Sequence, residues 1–251
     1  MRSSRKLLLP LGAGLDYALI AASLNPLLWY KFNEPSGTTV INYGSLGSGN
    51  ATFTPGVGAV AQADSMGANE AYLFDAAASR VVGPTSATIN NAAVFTVAVK
   101  VKATSMGENN AGYIWSDNGA NRLININSSG GGTYRLNFSV WCTSAYAAAI
   151  NASGSGVIQN DDMWVFGTFD NTGDRTPHLL FGNNGSVVEG SYSTITPAAA
   201  ALSNASGTLL IGDNTTTSEI RSWGGLIGEF LFFNRVLTAA EMLNLTQASA
   251  A

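Results

Sequence analysis

The chain contains one histidine, His178, and one cysteine, Cys142, so the groups that most often serve as general base or nucleophile are nearly absent. His178 follows Pro177 at the start of a strand-like run, the position of an ordinary surface histidine. Cys142 sits beside Trp141 and reads as a buried small hydrophobe. No G-x-S-x-G elbow, phosphate-binding G-x-x-x-x-G-K-S/T loop or H-E-x-x-H pair occurs. Glycoside hydrolysis needs two carboxylates flanking one bond, and no E-x-D-x-E presents them from a single strand. Asp161 and Asp162 are adjacent and would face opposite ways on a strand, so they read as a turn ahead of Trp164. An enzyme is therefore not expected. What remains is aromatic side chains among Asn, Ser and Gly, the chemistry of sugar recognition. Trp115, Trp141, Tyr146, Tyr192 and Trp223 are the candidates. Trp115 and Trp141 fall in strand-like runs and are assigned to the core, which leaves Tyr192 and Trp223, in loops, as the expected glycan-binding residues.

The elements that must position these residues are strands. Val94 to Lys102 alternates, with Phe95, Val97, Val99 and Val101 on one face and Thr96, Ala98, Lys100 and Lys102 on the other, so this strand is expected to be half buried with Lys100 toward solvent. Further runs lie at 27–32, 72–74, 113–115, 123–126, 134–140, 163–169, 178–181, 208–211 and 226–233, each bounded by Gly, Asn, Asp or Ser. Asn118-Gly119 and Asn184-Gly185 supply the positive φ of tight hairpins. Charged residues make up only 11% of the 251, against about 25% in an average domain, which disfavours long solvated helices. About ten strands without intervening helices predict an all-β antiparallel sandwich or jelly roll in one domain, residues 27–251. One short C-terminal helix, 239–246, is announced by the capping box Thr238-Ala239-Ala240-Glu241.

Residues 1–26 stand apart. Arg2, Arg5 and Lys6 precede the apolar Leu7, Leu8, Leu9 and Leu11, the order of an export signal, with Ala21-Ala22-Ser23 in the place of a cleavage site. Pro10 and Asp16 interrupt that stretch, which favours an uncleaved, extended assembly arm that rests on a neighbouring subunit or on its own domain. No run of about 18 to 20 apolar residues predicts a membrane span. A net charge of −4 with scattered basic residues argues against a nucleic-acid partner.

The order of motifs carries a family resemblance. Leu28-Trp29-Tyr30-Lys31-Phe32-Asn33-Glu34-Pro35-Ser36-Gly37-Thr38-Thr39 resembles the opening "W-x-x-D/N-E-x-S-G-T" of laminin-G-like, concanavalin A-like jelly rolls. Ala71 to Asp75 is similar to "a-l-x-F-D-G", Phe95 to Ser105 to "F-T-x-x-x-W-V-K-x-x-S", and Trp164 to Asp170 to "W-x-H-V-x-x-T-x-D". Gly224 to Glu241 resembles the closing "f-x-G-x-I-D-E-v-r-i-y-N-R-x-L-S-x-x-E-I". The resemblance implies a binding or structural module directed at glycans or proteins, often with a calcium ion at a loop edge. Here Asn42 and Gly228 stand where the family offers carboxylates, so no metal and no other cofactor is expected. Glu229 is expected to pair with Arg235.

Two functions follow as expectations. One is a structural virion protein, a capsid-decorating or tail-associated bacteriophage subunit, homo-oligomeric (for instance a trimer), bound to other virion proteins through its arm and facing surface glycans. The alternative is a secreted bacterial carbohydrate-binding module with an N-terminal export signal.

Overall fold

The computed structural model describes residues 17–248 except 35–36, 55–60, 67–68, 76–78, 118–121, 131, 143–144, 153–154, 184, 199–201, 203–206 and 215–220. Helix α1 (Tyr17–Ser23) leads into β1 (Leu28–Tyr30), β2 (Thr39–Val40), β3 (Ala51–Thr54), β4 (Ala61–Met66), β5 (Asn69–Asp75) and β6 (Arg80–Val82). A one-turn α2 (Ala87–Asn90) precedes β7 (Val94–Ala103), β8 (Tyr113–Asp117), β9 (Arg122–Gly130), β10 (Thr133–Trp141), β11 (Tyr146–Asn151) and β12 (Val157–Ile158). The chain closes with β13 (Asp162–Asp170), β14 (His178–Asn183), β15 (Ser186–Glu189), β16 (Tyr192–Thr196), β17 (Leu209–Ile211), β18 (Gly224–Phe233) and α3 (Ala239–Ala248).

These strands form two antiparallel sheets, an eight-stranded one in the order β15-β14-β13-β7-β18-β5-β4 with β1 also on β18, and a ten-stranded one in the order β16-β11-β10-β9-β8-β17-β6-β3-β2 with β12 on β10. The two inner faces enclose the main core, which includes Phe95, Val97, Val99, Trp115, Ile124, Phe138, Val165, Phe230 and Phe232. The expected jelly-roll sandwich is the observed fold. Gly185, in the turn between β14 and β15, has φ +77°, the conformation expected of a tight hairpin.

Three expectations are corrected. Residues 17–23 are not extended: α1 lies on the outer face of the eight-stranded sheet, where Ala21, fully buried, and Tyr17 pack with Trp29 and Trp164. Alanine, leucine and isoleucine in Tyr17-Ala18-Leu19-Ile20-Ala21-Ala22 suit a helix, and an apolar sheet face gives it a surface to cover. The arm residues Arg2, Arg5, Lys6, Leu7, Leu8, Leu9 and Leu11 lie outside the described residues. Second, β7 is buried on both faces, because α1 and α3 cover the side carrying Ala98 and Lys100; Lys100 is 4% exposed. Third, Glu229 does not pair with Arg235. The register of β18 against β7 shifts between Ile227 and Glu229, so the extra residue Gly228 forms a bulge. Ile227, Phe230 and Phe232 then point into the main core, while Glu229 turns out beneath α1 and accepts from Trp29 Nε1 at 2.6 Å.

Arg235 instead forks onto Glu241, with Nη1 to Oε2 and Nη2 to Oε1 both at 2.9 Å. This arginine and the capping contacts from Thr238 hold the Glu241 carboxyl down at about 2. The capping box forms as expected: Thr238 N–H donates to Glu241 Oε2 at 2.8 Å, and Glu241 N–H donates to Thr238 Oγ1 at 3.3 Å.

Candidate functional site

Neither expected glycan-binding residue presents an open ring. Trp223, directly ahead of β18, is fully buried in the main core, with its backbone N–H donating to Gly212 O at 2.8 Å. Tyr192 opens β16 and packs against the same core. Its hydroxyl is engaged, accepting from Leu179 N–H at 2.8 Å and donating to Glu189 Oε1 at 3.0 Å.

Tyr192 belongs to a polar cluster that ties the two sheets together at their β15 and β16 edges. His178 Nδ1 lies 2.6 Å from Glu189 Oε1, and Nε2 lies 2.7 Å from Asp174 Oδ2. Partial burial opposes a charged ring, but the two carboxylates outweigh it and hold His178 above the usual imidazole range. Thr168, Asp170 and Val236 complete a shallow, open depression beside this histidine. With both ring nitrogens engaged, His178 clamps Glu189 of β15 to Asp174 ahead of β14.

The outer face of the ten-stranded sheet is different. Along β10, Tyr134, Leu136, Phe138 and Val140 enter the core, so Arg135, Asn137, Ser139 and Trp141 face outward. Register continues this face sideways, with Asn125 and Leu123 of β9 opposite Asn137 and Ser139, and Tyr113 of β8 opposite Asn125. On the other flank Ile150, Ala148 and Tyr146 of β11 lie opposite Asn137, Ser139 and Trp141. A hydrogen-bonded row crosses the strands: Ser139 Oγ donates to Asn137 Oδ1 at 2.9 Å, and Asn137 Nδ2 donates to Asn125 Oδ1 at 3.1 Å. Asn125 Nδ2 is fixed in turn by Ile126 O at 2.8 Å.

At one end of this row Trp141 and Tyr146 form an aromatic pair, centroids 4.4 Å apart and planes at 59°. Tyr146 is 45% exposed and Trp141 partly so. The expectation that Trp141 belongs to the core is thus corrected: it is the one β10 aromatic on the outward alternation. Asn125 and Ser139 are buried and hold Asn137, which is half-buried; Asn137 and the ring pair near it can meet a polyhydroxylated chain, hydroxyls on the amide and C–H faces on the rings. The outward positions of β8 to β11 carry no carboxylate among the described residues.

Asn42 explains the loop where the family resemblance implied a metal. Its Oδ1 accepts from Trp29 N–H and Gly44 N–H, both at 2.9 Å, and its Nδ2 donates to Leu46 O at 2.7 Å. The amide nitrogen thus satisfies a carbonyl that a carboxylate would repel. No group of three or more His, Cys, Asp or Glu side chains suited to a metal occurs among the described residues.

A protein-family profile described as the concanavalin A-like lectin/glucanases superfamily matches residues 75–242. The chain belongs to this superfamily. Solved structures share the fold at low identity. Domain 4 of AbnA, an extracellular GH43 arabinanase from Geobacillus stearothermophilus solved with arabinotriose, superposes with a TM-score of 0.62 at 15% identity, over 88% of this chain and 98% of that one. The botulinum neurotoxin serotype D binding domain gives 0.60 at 11% identity, over 89% of this chain and 51% of that one. A Trypanosoma rangeli sialidase complexed with sialic acid gives 0.57 at 12% identity, over 88% of this chain but only 32% of the sialidase. At these identities the likeness is one of fold. No curated protein matches the chain.

Proposed function

We propose that this protein is a non-catalytic carbohydrate-binding module whose site is the outer face of the ten-stranded sheet. The observation that carries the reading is the Asn125–Asn137–Ser139 row ending at the Trp141–Tyr146 pair. Membership of a lectin and glucanase superfamily makes a saccharide the ligand class to test first. From Trp141 to Arg135 is six residues, about 20 Å of strand, a length that suits an oligosaccharide rather than one sugar. Screening the full chain on a glycan array, followed by titration calorimetry of the hits, tests the reading. Trp141→Ala and Tyr146→Ala are expected to weaken binding tenfold or more while the thermal transition stays in place. Failure of the folded wild type to bind any glycan would refute the proposal.

The attachment role expected of the arm, residues 1–26, is compatible with this site, and for the part ahead of α1 it belongs to the proposal. Helix α1, which starts at Tyr17, sits on the outer face of the eight-stranded sheet, on the side opposite the proposed glycan face. An anchor there leaves the recognition face free, whether the carrier is a bacteriophage virion or a secreted assembly. Deleting residues 2–12 is expected to abolish attachment or oligomerisation and to leave glycan binding intact. Retained assembly would remove the anchoring role.

A further inference from the structure

The outer face carries one charged side chain along β10, and its placement narrows the ligand class. Arg135 lies at the end of the outward row opposite to Trp141. Its Nε donates to Asn151 O at 2.7 Å and its Nη2 to Ser193 Oγ at 2.6 Å, so one edge of the guanidinium is bolted to β11 and β16. Guanidinium has five N–H donors in a planar fork. The two bonds occupy the Nε side. The Nη1 side finds no acceptor among the described residues, and Nη1 is not a buried atom. The Nη1 edge of a guanidinium held in place by two bonds is a carboxylate acceptor, and no described carboxylate fills it.

We infer that the Arg135 end of the glycan face binds the carboxylate of an acidic sugar, a uronic or sialic-type residue, within an otherwise neutral oligosaccharide. The inference rests on the proposed glycan-binding reading. A net charge of −4 sets a long-range repulsion against polyanions, so the preferred ligand carries an isolated carboxylate rather than a continuous acidic chain. The acid anchors at Arg135, neutral sugars run along Asn137, and the far end rests against Trp141.

The test compares, by titration calorimetry on the full chain, a xylo-oligosaccharide bearing one glucuronic acid with the same compound after reduction of its carboxyl to the alcohol. The wild type is expected to prefer the acid at least tenfold. Arg135→Gln is expected to lower affinity for the acid more than for the reduced compound and so erase the preference, and Arg135→Lys, which keeps the charge but not the fork, to retain only part of it. Equal affinity of the wild type for both compounds would overturn this inference and leave the glycan reading standing. Binding of neither compound, together with an empty glycan array, would remove both. The wild-type comparison needs no variant, so it stands even if Arg135→Gln fails to fold.

Discussion

Trp29 donates its indole N–H to Glu229 Oε2 at 2.6 Å, beneath α1 and next to the buried Lys100 that Glu229 faces in register. Burial raises the Glu229 carboxyl to about 8, against the opposing pull of Trp29, Tyr17, Lys31 and Lys100. The native state therefore keeps a proton that the unfolded chain releases from about pH 4.5 upward, and this group's contribution falls as pH rises from there to about 8. Glu229→Gln is expected to flatten that part of the profile. Relative to wild type it should gain at least about 1 kcal/mol between pH 5 and pH 8 by urea titration, since a tenfold difference in proton affinity between the two states is worth about 1.4 kcal/mol. Parallel profiles would show that Glu229 titrates as an exposed carboxyl does.

Lys100 and Val99 are neighbours on β7 pointing to opposite faces, and both faces are covered. Val99→Asp and Lys100→Asp are each expected to cost several kcal/mol, the first by placing a carboxylate in the main core and the second by setting one beside Glu229 and Asp162. Denaturation midpoints decide it. An unaffected Lys100→Asp would mean that the α1-covered face is open to water.

Truncation separates the two parts of the N-terminal segment. Deleting residues 2–12 should leave the melting temperature unchanged. Deleting residues 2–24 removes Tyr17 and Ala21 from the cover over Trp29 and Trp164, and should lower it by on the order of 5 °C. Equal melting temperatures for the two deletions would show that α1 adds nothing to stability.

Calcium is expected to matter little, because Asn42 already satisfies the carbonyl of Leu46. Saturating Ca²⁺ or EDTA should move the melting temperature by no more than about a degree, far from the several kcal/mol of linkage that a tight site gives. Asn42→Asp should cost about 1–3 kcal/mol without added calcium, through loss of its donor and a carboxylate facing that carbonyl. A calcium-dependent rise of several degrees in the wild type would overturn this.

The sequence alone determined the longer strands, the jelly-roll class, the C-terminal capping box and the family. Each of these is written in local patterns: period-two alternation in β7 and β10, turn residues between runs, Thr238 three residues before Glu241. Which aromatic faces solvent was settled by tertiary structure. Trp141 and Trp223 look alike as apolar residues, but one sits on the outward alternation of β10 and the other is buried in the main core directly ahead of β18. Strand β11 escaped pattern reading because alanines at 147–149 have little intrinsic preference for a strand, and pairing with β10 holds them there. That pairing also brings Tyr146 against Trp141, and a contact set by register between strands has no signature within either one. The same holds for Lys100 and Glu229. Their burial follows from a helix laid over the sheet and a bulge at Gly228, and the energy of both lies in contacts remote along the chain.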